Sequence, residues 1–463
     1  MSALNVLLVV YTFPPAGGVG VLRAASLARY FPAEGIRLDV LTTRNPASVG
    51  VDFSLLQDIP AEVNIHRTMT FDLPFGIKKR LKRLITGAKP PDSSAASSSG
   101  TGKPNFVKSA VQDLLLPDPQ VTWSPVLTRA ARRIVRNRAI DLVIITGPPF
   151  SSFLLAGRLR REFPHLAIVL DFRDEWLTAQ FESGGFQFSR SERARSFAIR
   201  AEAGAIASAT AVVLVTEAAR REVRARYPQE LAEKFHLIPN GFDATRIVRA
   251  TPSANPRPNG KIIVTHIGTL YAATDPTELI EALQSLPPEV KSRIALRFIG
   301  HIEEPRYREA LLQLGDMVSL NGYLPQREAL ALMSETDYVL MITHDRLNIP
   351  GKFYDYIGSG KPILGFLHPE GDTRRLLEEM RAGWWAGNHD VEGIRKLFID
   401  AAARGDGLSK EFQPNVEMIA LYERKVLARR YAALLHSIAD SDPDKQREGE
   451  SQAPVVQNLK MER

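Results

Sequence analysis

Two glycines stand together where an apolar strand gives way to a helix near the start of the chain. Val6 to Tyr11 predicts a strand, Gly17 and Gly18 follow it, and a stretch rich in Ala, Leu and Arg comes next. Glycines at such a junction let backbone amides approach an anion at the positive end of the helix dipole. The pair therefore indicates either a phosphate-binding turn or an ordinary tight turn.

A second candidate anion site lies in the C-terminal half. Pro350 and Gly351 predict a helix start after an apolar strand, and Lys352 adds a full positive charge there. Asp355, one turn along, can accept hydrogen bonds from vicinal hydroxyls. The segment is typical either of a cradle for a sugar nucleotide or of a capped amphipathic helix.

Two common phosphate-binding motifs do not fit the N-terminal glycines. Arg23 stands where a dinucleotide fingerprint needs its third small residue, and the second strand ends at Arg44 without an acidic residue for a ribose. The Walker lysine motif is absent as well. The sequence therefore argues against a nicotinamide dehydrogenase and against phosphoryl transfer of the P-loop kind.

An acidic pair follows another apolar strand in the N-terminal half. Asp171 and Asp174 flank Arg173, and Trp176 comes two residues later. Either Asp174, with Arg173 beside it, orients or deprotonates a hydroxyl group, or Asp171 and Arg173 close the loop by salt bridges. No metal is expected, because no metal-binding spacing is evident and the histidines considered as ligands are isolated: His301, His344 and His368.

The elements that must position these residues are those of an α/β protein. Short apolar runs alternate with helical stretches, which predicts parallel sheets covered by helices on both faces. The runs are Val6–Tyr11, Leu38–Leu41, Leu142–Thr146, Ala167–Leu170, Ala211–Val215, Ile262–Ile267, Ala295–Ile299, Tyr338–Ile342 and Pro362–Phe366.

A Pro- and Asn-rich stretch from Pro239 to Gly260 interrupts this alternation. We therefore expect one domain over residues 1–243 and a second over 244–415, with a cleft between them as the default ligand site. Helical periodicity predicts a terminal helix over 416–438. Disorder is expected for a Ser- and Pro-rich insert at about 88–106 and for the tail 439–463.

The composition narrows the choice of partners. The 463 residues contain 59 Lys and Arg against 52 Asp and Glu, a net charge of +7, and no cysteine. Disulfides, thiolate metal sites and cysteine nucleophiles are excluded, whereas a phosphate-bearing substrate or an anionic membrane suits the charge. Nucleic acid is not expected, since stacking platforms and reading motifs are not evident. Because we find neither a secretory signal nor a membrane span, we expect a cytoplasmic protein.

One basic segment lies within the first predicted domain. Apolar residues one turn apart alternate with basic residues between Ile77 and Ile85, which is typical of a helix on an anionic membrane or of a solvated basic face. We expect peripheral association with the inner face of a membrane through Lys78, Lys79, Arg80, Lys82 and Arg83.

The order of short motifs along nearly the whole chain resembles that of bacterial retaining glycosyltransferases of family 4, which have the two-domain GT-B fold and use nucleotide sugars. The motifs are Phe-Pro-Pro-x-Gly-Gly (Phe13–Gly18), Thr-Gly-Pro-Pro-Phe-Ser-Ser (Thr146–Ser152), Asp-Phe-Arg-Asp-x-Trp (Asp171–Trp176), Val-Thr-Glu (Val215–Glu217), Ile-Pro-Asn-Gly-Phe-Asp (Ile238–Asp243), Gly-Thr-Leu-Tyr (Gly268–Tyr271) and Pro-Gly-Lys-Phe-Tyr-Asp-Tyr (Pro350–Tyr356).

This resemblance implies two Rossmann-like domains facing across a cleft, with the terminal helix packed near the first. Gly17 and Gly18 would lie under the donor diphosphate, opposite Gly268 and Thr269. Asp355 would bind the nucleotide ribose. Base contacts would come from the turns at His301 and Leu324.

The chain departs from the family at the donor site. Leu347 stands eight positions before Asp355, where the family has its first motif glutamate, and the Arg and Lys pair after Gly268 is not evident. We expect Lys352 to replace that charge.

By this resemblance the chain would move a sugar to a carbohydrate or lipid-linked acceptor in surface polysaccharide or glycan biosynthesis, without a cofactor or metal. A sugar-nucleotide epimerase of the same fold and a non-catalytic scaffold that binds a partner transferase remain alternatives.

Overall fold

The computed structural model describes residues 3–46, 51–70, 115–181, 191–247, 261–324, 326–405 and 411–441. The predicted insert at about 88–106, the basic segment 77–85 and residues 442–463 of the tail lie outside this part of the chain. In the described residues the strands are β1 Leu4–Val9, β2 Ile36–Thr43, β3 Asn64–Thr68, β4 Leu142–Gly147, β5 Ala167–Phe172, β6 Ala211–Leu214, β7 Phe235–Leu237, β8 Ile262–Ile267, β9 Ile294–Ile299, β10 Val318–Gly322, β11 Tyr338–Thr343, β12 Ile363–Leu367 and β13 Gly383–Gly387.

The helices of the same residues, numbered in chain order, are α1 Val19–Tyr30, α2 Ser54–Gln57, α3 Ser124–Asn137, α4 Leu154–Glu162, α5 Trp176–Phe181, α6 Glu192–Ser208, α7 Glu217–Arg226, α8 Thr277–Gln284, α9 Pro288–Lys291, α10 Pro305–Leu312, α11 Gln326–Ser334, α12 Gly351–Ser359, α13 Asp372–Glu379, α14 Val391–Arg404, α15 Val416–Ala420 and α16 Arg424–Asp440.

Two parallel sheets organise the described chain. The first has the order β3-β2-β1-β4-β5-β6-β7, and the second has the order β10-β9-β8-β11-β12-β13. Continuous apolar strands such as β4, which is buried along its whole length, require cover on both faces. Separate apolar clusters lie on the two faces of each sheet. The predicted α/β class and doubly wound domains are confirmed.

The strand order of each sheet reverses beside its first strand, and ligands of such folds bind outside the carboxyl ends of the strands at this point. In the first sheet β1 lies between β2 and β4, so Gly17 and Gly18 follow a strand at the reversal. In the second sheet β8 lies between β9 and β11, and Gly268 follows β8. The topology therefore puts both glycine turns at ligand-binding edges.

The chain returns from the second domain to the first. Where the sequence predicts one helix over 416–438, the structure has α15 and α16, separated by a turn at residues 421–423. Tyr422 and Arg424 exchange backbone hydrogen bonds with Phe242 in the segment that joins the sheets. Tyr431 and Leu435 of α16 are fully buried in the core of the first domain, which confirms the predicted packing of the terminal helix. The exact division at residue 243 stays a prediction.

Candidate functional site

The N-terminal glycine turn is built for close approach to its backbone. Gly18 caps the start of α1 with φ 100°, a left-handed region that side chains disfavour, and a Cβ there would meet no atom within 4 Å. Hydrogen bonds from Ala16 N to Phe13 O and from Asp52 N to Pro15 O hold the turn, and Gly17 is half-buried. The amide end of α1 thus adjoins open space, as an anion site requires.

Lys352 lies against the glycine turn of the second domain. Pro350 caps α12, Gly351 begins it, and Lys352 is its second residue. A Cβ on Gly268, which has φ 134°, would be 3.3 Å from Lys352 Nζ. Burial lowers the pKa of the Lys352 ammonium to about 7. The structure therefore brings together the lysine and the glycine that the resemblance places at the donor diphosphate.

His266 is a site residue that the sequence reasoning missed. It is fully buried in β8, and its Nε2 lies 3.2 Å from Lys352 Nζ. Burial and the neighbouring Lys352 charge hold the pKa of the imidazole well below its usual range. The one available signal was a histidine inside a largely apolar strand, which is equally typical of a core residue.

Asp355 lies one turn beyond Lys352 on the same helix and is half-buried. Its negative charge acts on the half-buried Arg424, opposing the fall that burial causes in the pKa of that arginine. Arg424 also donates to the carbonyl oxygen of Gly241 at 2.9 Å. The predicted ribose ligand is thus adjacent to the connection between the domains. Tyr356 anchors the helix, because its hydroxyl accepts from Ile267 N at 2.8 Å.

The turns after β9 and β10 form an aromatic stack. The rings of His301 and Tyr323 are 5.3 Å apart and 10° from parallel, and Tyr323 is 63% exposed. Gly300, at φ 140°, packs against the carbonyl group of Gly268, which joins this stack to the glycine turn. Leu324 is half-buried beside it.

Thr269 follows Gly268 in the same turn, and its carbonyl oxygen accepts from the Thr274 hydroxyl at 3.0 Å. Gly268 therefore adjoins both Lys352 and Gly300, the residue before His301.

Asp171, near the end of β5, and Arg173, in the loop that follows, both make contacts within the first domain. Asp171 makes a salt bridge of 2.7 Å with Arg23, and both side chains are buried. Arg173 donates to the carbonyl oxygens of Gly147, Gly20 and Pro148. The salt bridge of Asp171 therefore agrees with the interpretation in which this residue closes the loop. The contacts of Arg173 favour a role in positioning the loop.

Asp174 faces the second domain. Burial and the negative charge of Asp345 raise the pKa of the Asp174 carboxyl, against the opposing effect of Arg173. Burial, together with the negative charges of Asp345 and Asp174, also raises the pKa of the Tyr271 phenol. Asp174 therefore lies with Asp345 and Tyr271 across the cleft, in surroundings that favour a proton-accepting carboxylate.

Leu347 cannot act as the family's first glutamate does. Its side chain is 3% exposed, and its carbonyl oxygen accepts a hydrogen bond of 2.7 Å from the Thr216 hydroxyl. Asp345 shapes this loop, because one carboxylate oxygen accepts from the backbone N–H groups of Leu347 and Asn348. Leu347 therefore serves a contact between the two domains.

A buried ionic cluster supports the acidic loop from behind and was also missed. Glu175, which follows Asp174, lies 2.5 Å from Arg226 of α7, and Arg226 lies 2.7 Å from Glu202 of α6. Tyr227 donates to Glu202 at 2.8 Å. Burial is the main cause that raises the pKa of Glu202, to about 7. The Asp174 loop is therefore tied to two helices.

The described ranges contain no group of three histidine or acidic side chains placed to hold a metal ion. They also contain no helix long and apolar enough to cross a membrane.

Comparisons with known proteins give this geometry a context. Among solved structures, sucrose-phosphate synthase from Thermosynechococcus elongatus aligns over 94% of this chain and 99% of its own, with 14% identity and a TM-score of 0.62. Anabaena Alr3699/HepE in complex with UDP-glucose aligns over 94% and 100%, with 14% identity and a TM-score of 0.59.

An α,α-trehalose 6-phosphate synthase from Burkholderia multivorans aligns over 98% of this chain and 99% of its own, with 13% identity and a TM-score of 0.61. These likenesses confirm the GT-B fold. No curated protein matches the sequence. Residues 16–246, which include the glycine turn and the acidic loop, match the family model described as Glycosyltransferase Family 4. The chain belongs to the glycosyltransferases of the family 4 type.

Proposed function

We propose that this glycosyltransferase moves a sugar, with retention, from a nucleoside-diphosphate donor to a hydroxyl group of a carbohydrate or lipid-linked acceptor in surface polysaccharide or glycan biosynthesis. The observation that carries the proposal is the contact of Lys352 with Gly268 at the ligand-binding edge of the second sheet. The complex of Anabaena Alr3699/HepE with UDP-glucose supports a donor of this class.

Departure of the diphosphate is the step that these residues can assist. As the bond from the anomeric carbon to the diphosphate breaks, negative charge grows on the leaving oxygen. The Lys352 ammonium and the amide ends of α1 and α12 supply positive charge beside Gly18 and Gly268. We propose that these groups serve the departing anion without a metal or cofactor.

Activation of the acceptor is assigned to the first domain. Asp174 accepts or orients the proton of the attacking hydroxyl, and burial raises the pKa of its carboxyl, which makes the carboxylate a stronger base. Arg173 holds the loop through its carbonyl contacts. Asp355 binds the ribose, and the turns at His301 and Leu324 contact the base.

An exposed apolar edge supports a lipid-linked acceptor and peripheral membrane contact. Val51, Phe53 and Met69 are 66%, 65% and 56% exposed, and Val51 pairs with Ala16 in the glycine turn. The basic segment containing Lys78 and Arg83 follows Met69 in sequence. Co-sedimentation with anionic vesicles tests this part: binding that disappears with neutral vesicles supports it, and equal recovery with both contradicts it.

The activity itself is tested by incubating the full chain with UDP-, GDP- and ADP-sugars, with and without a bacterial glycolipid extract. Release of a nucleoside diphosphate that depends on the extract, with a product heavier by one sugar in mass spectrometry, supports transfer. An altered sugar from the donor alone indicates an epimerase. Binding of nucleotide with neither outcome indicates a non-catalytic scaffold, for which the buried Leu347 is the motivating feature.

A further inference from the structure

His266, which is fully buried, and Lys352, which is half-buried, lie within hydrogen-bond distance of each other. His266 Nδ1 lies 3.1 Å from the carbonyl oxygen of Leu340 on β11, and Nε2 lies 3.2 Å from Lys352 Nζ. Because a carbonyl oxygen can only accept, Nδ1 carries the ring proton. Nε2 is then left as the acceptor for a proton of Lys352.

This arrangement keeps the imidazole neutral. A second proton on His266 would point at the amine of Lys352, and the ring has no exposed surface. Burial and the lysine charge accordingly hold the pKa of His266 far below its usual range. Lys352 therefore has an acceptor for one proton but receives no counter-charge from His266.

Other charged groups on the surrounding elements act elsewhere. Asp355, on the helix of Lys352, acts on Arg424 and Tyr356, while Asp345 acts on Asp174 and both of these carboxylates act on Tyr271. For Lys352, burial is the one cause identified in the described chain, and it lowers the pKa of the amine to about 7.

We infer that His266 is a positioning residue, which holds the amine of Lys352 beside Gly268 so that Lys352 takes up a proton when the donor diphosphate binds. The inference rests on the proposed function, since the diphosphate must lie at Gly268. The arriving anion supplies the missing counter-charge and restores the ammonium group, while the proton comes from the solvent. Donor binding therefore consumes a proton. It weakens as the pH rises above the value at which half of the Lys352 amines are protonated.

Calorimetric titration of UDP into the full chain at about pH 8, in two buffers with different heats of ionisation, counts the protons taken up. The terminal phosphate of UDP is already ionised at this pH, so the protein must account for the uptake. We expect nearly one proton for each UDP bound. Lys352→Arg is the matched control, because arginine stays charged and should bind without uptake.

Two variants separate the role of His266 from general packing. His266→Phe removes the acceptor and should weaken UDP binding by about tenfold or more, since hydrogen bonds to charged groups have that strength. His266→Gln offers an acceptor oxygen and should restore most of the affinity. Circular dichroism checks that both variants fold, and the proton count on the wild type tests the uptake by Lys352 even if they do not.

The outcomes distinguish this inference from the proposed function. UDP binding without proton uptake overturns the inference alone, as does unchanged affinity in a folded His266→Phe variant. A wild-type chain that binds none of UDP, GDP and ADP overturns the proposed function as well.

Discussion

The hydroxyl of Thr216 donates a hydrogen bond of 2.7 Å to the carbonyl oxygen of Leu347, which joins the first domain to the second. Thr216 also caps α7 by accepting from Ala219 N at 3.2 Å. Two residues beyond Thr216, Ala218 N donates to Asp372 of the second domain at 2.8 Å. The N-terminus of α7 therefore makes two hydrogen bonds that join the first domain to the second. The family's first glutamate is replaced here by a main-chain domain contact.

The first prediction concerns this contact. Thr216→Val removes both the cap and the interdomain donor, and it should lower the free energy of unfolding by about 1–3 kcal/mol. Thr216→Ser keeps a hydroxyl and should lose much less. Chemical denaturation of both variants measures the difference, and equal stability of Val and Ser variants would show that the hydroxyl is dispensable.

The second prediction concerns the ribose ligand. Asp355→Ala should weaken UDP binding by about tenfold or more, because the vicinal hydroxyls lose a charged acceptor. Asp355→Glu, which introduces the residue usual in the family, should retain most of the affinity. If calorimetry gives an unchanged affinity while thermal stability falls, Asp355 serves only the electrostatics of Arg424.

The third prediction separates chemistry from binding. Asp174→Asn should reduce turnover by about a hundredfold or more, because the amide cannot take the proton of the acceptor hydroxyl. Turnover is measured with the acceptor that the glycolipid incubation identifies. Its affinity for UDP should stay close to that of the wild type. Asp171→Asn is the matched control, and it should lower thermal stability because it breaks the salt bridge with Arg23. Normal turnover by Asp174→Asn would remove Asp174 from the mechanism.

The fourth prediction tests the aromatic stack. Tyr323→Ala should weaken UDP binding by about 1–3 kcal/mol, the usual contribution of a base stacked on an aromatic ring. Binding of inorganic pyrophosphate should not change, since it carries no base. Because Tyr323 is largely exposed, the melting temperature should also stay constant. An equal loss of affinity for both ligands would mean that Tyr323 acts on the diphosphate instead.

The fifth prediction is a pH dependence of stability. Burial raises the pKa of Glu202 from 4.5 to about 7, so the folded state binds this proton more tightly than the unfolded state does. This group therefore contributes stability below its unfolded pKa, and the contribution is lost as the pH rises through the folded pKa. Glu202→Gln stays neutral, so its melting temperature relative to the wild type should rise between about pH 5 and pH 8. A difference that is constant with pH would show that Glu202 does not titrate there.

The sequence predicted the inner strands of both sheets and missed the edges. All nine predicted runs correspond to strands with neighbours on both sides, whereas β3, β7, β10 and β13 are the sheet edges of the described chain. Inner strands are apolar throughout because both faces are covered. Edge strands such as β3 and β10 are partly exposed, so their mixed composition carries no continuous apolar signal.

The site was predictable where the chain itself places residues close together. Lys352 and Asp355 share a helix turn, and Gly18 opens a helix, so local spacing predicted both. The partners His266 and Arg226 were not predictable, since contacts across 86 and 51 residues form only when strands and helices pack. A buried histidine and a helix arginine look ordinary without those contacts.

A crystal structure of the full chain with UDP tests the central claim most directly. The account predicts electron density for the diphosphate between the turn of Gly17 and Gly18 and the edge formed by Gly268 and Lys352, with a phosphate oxygen within about 3 Å of Lys352 Nζ. UDP bound away from Lys352, with that lysine still paired only with His266, would contradict the account.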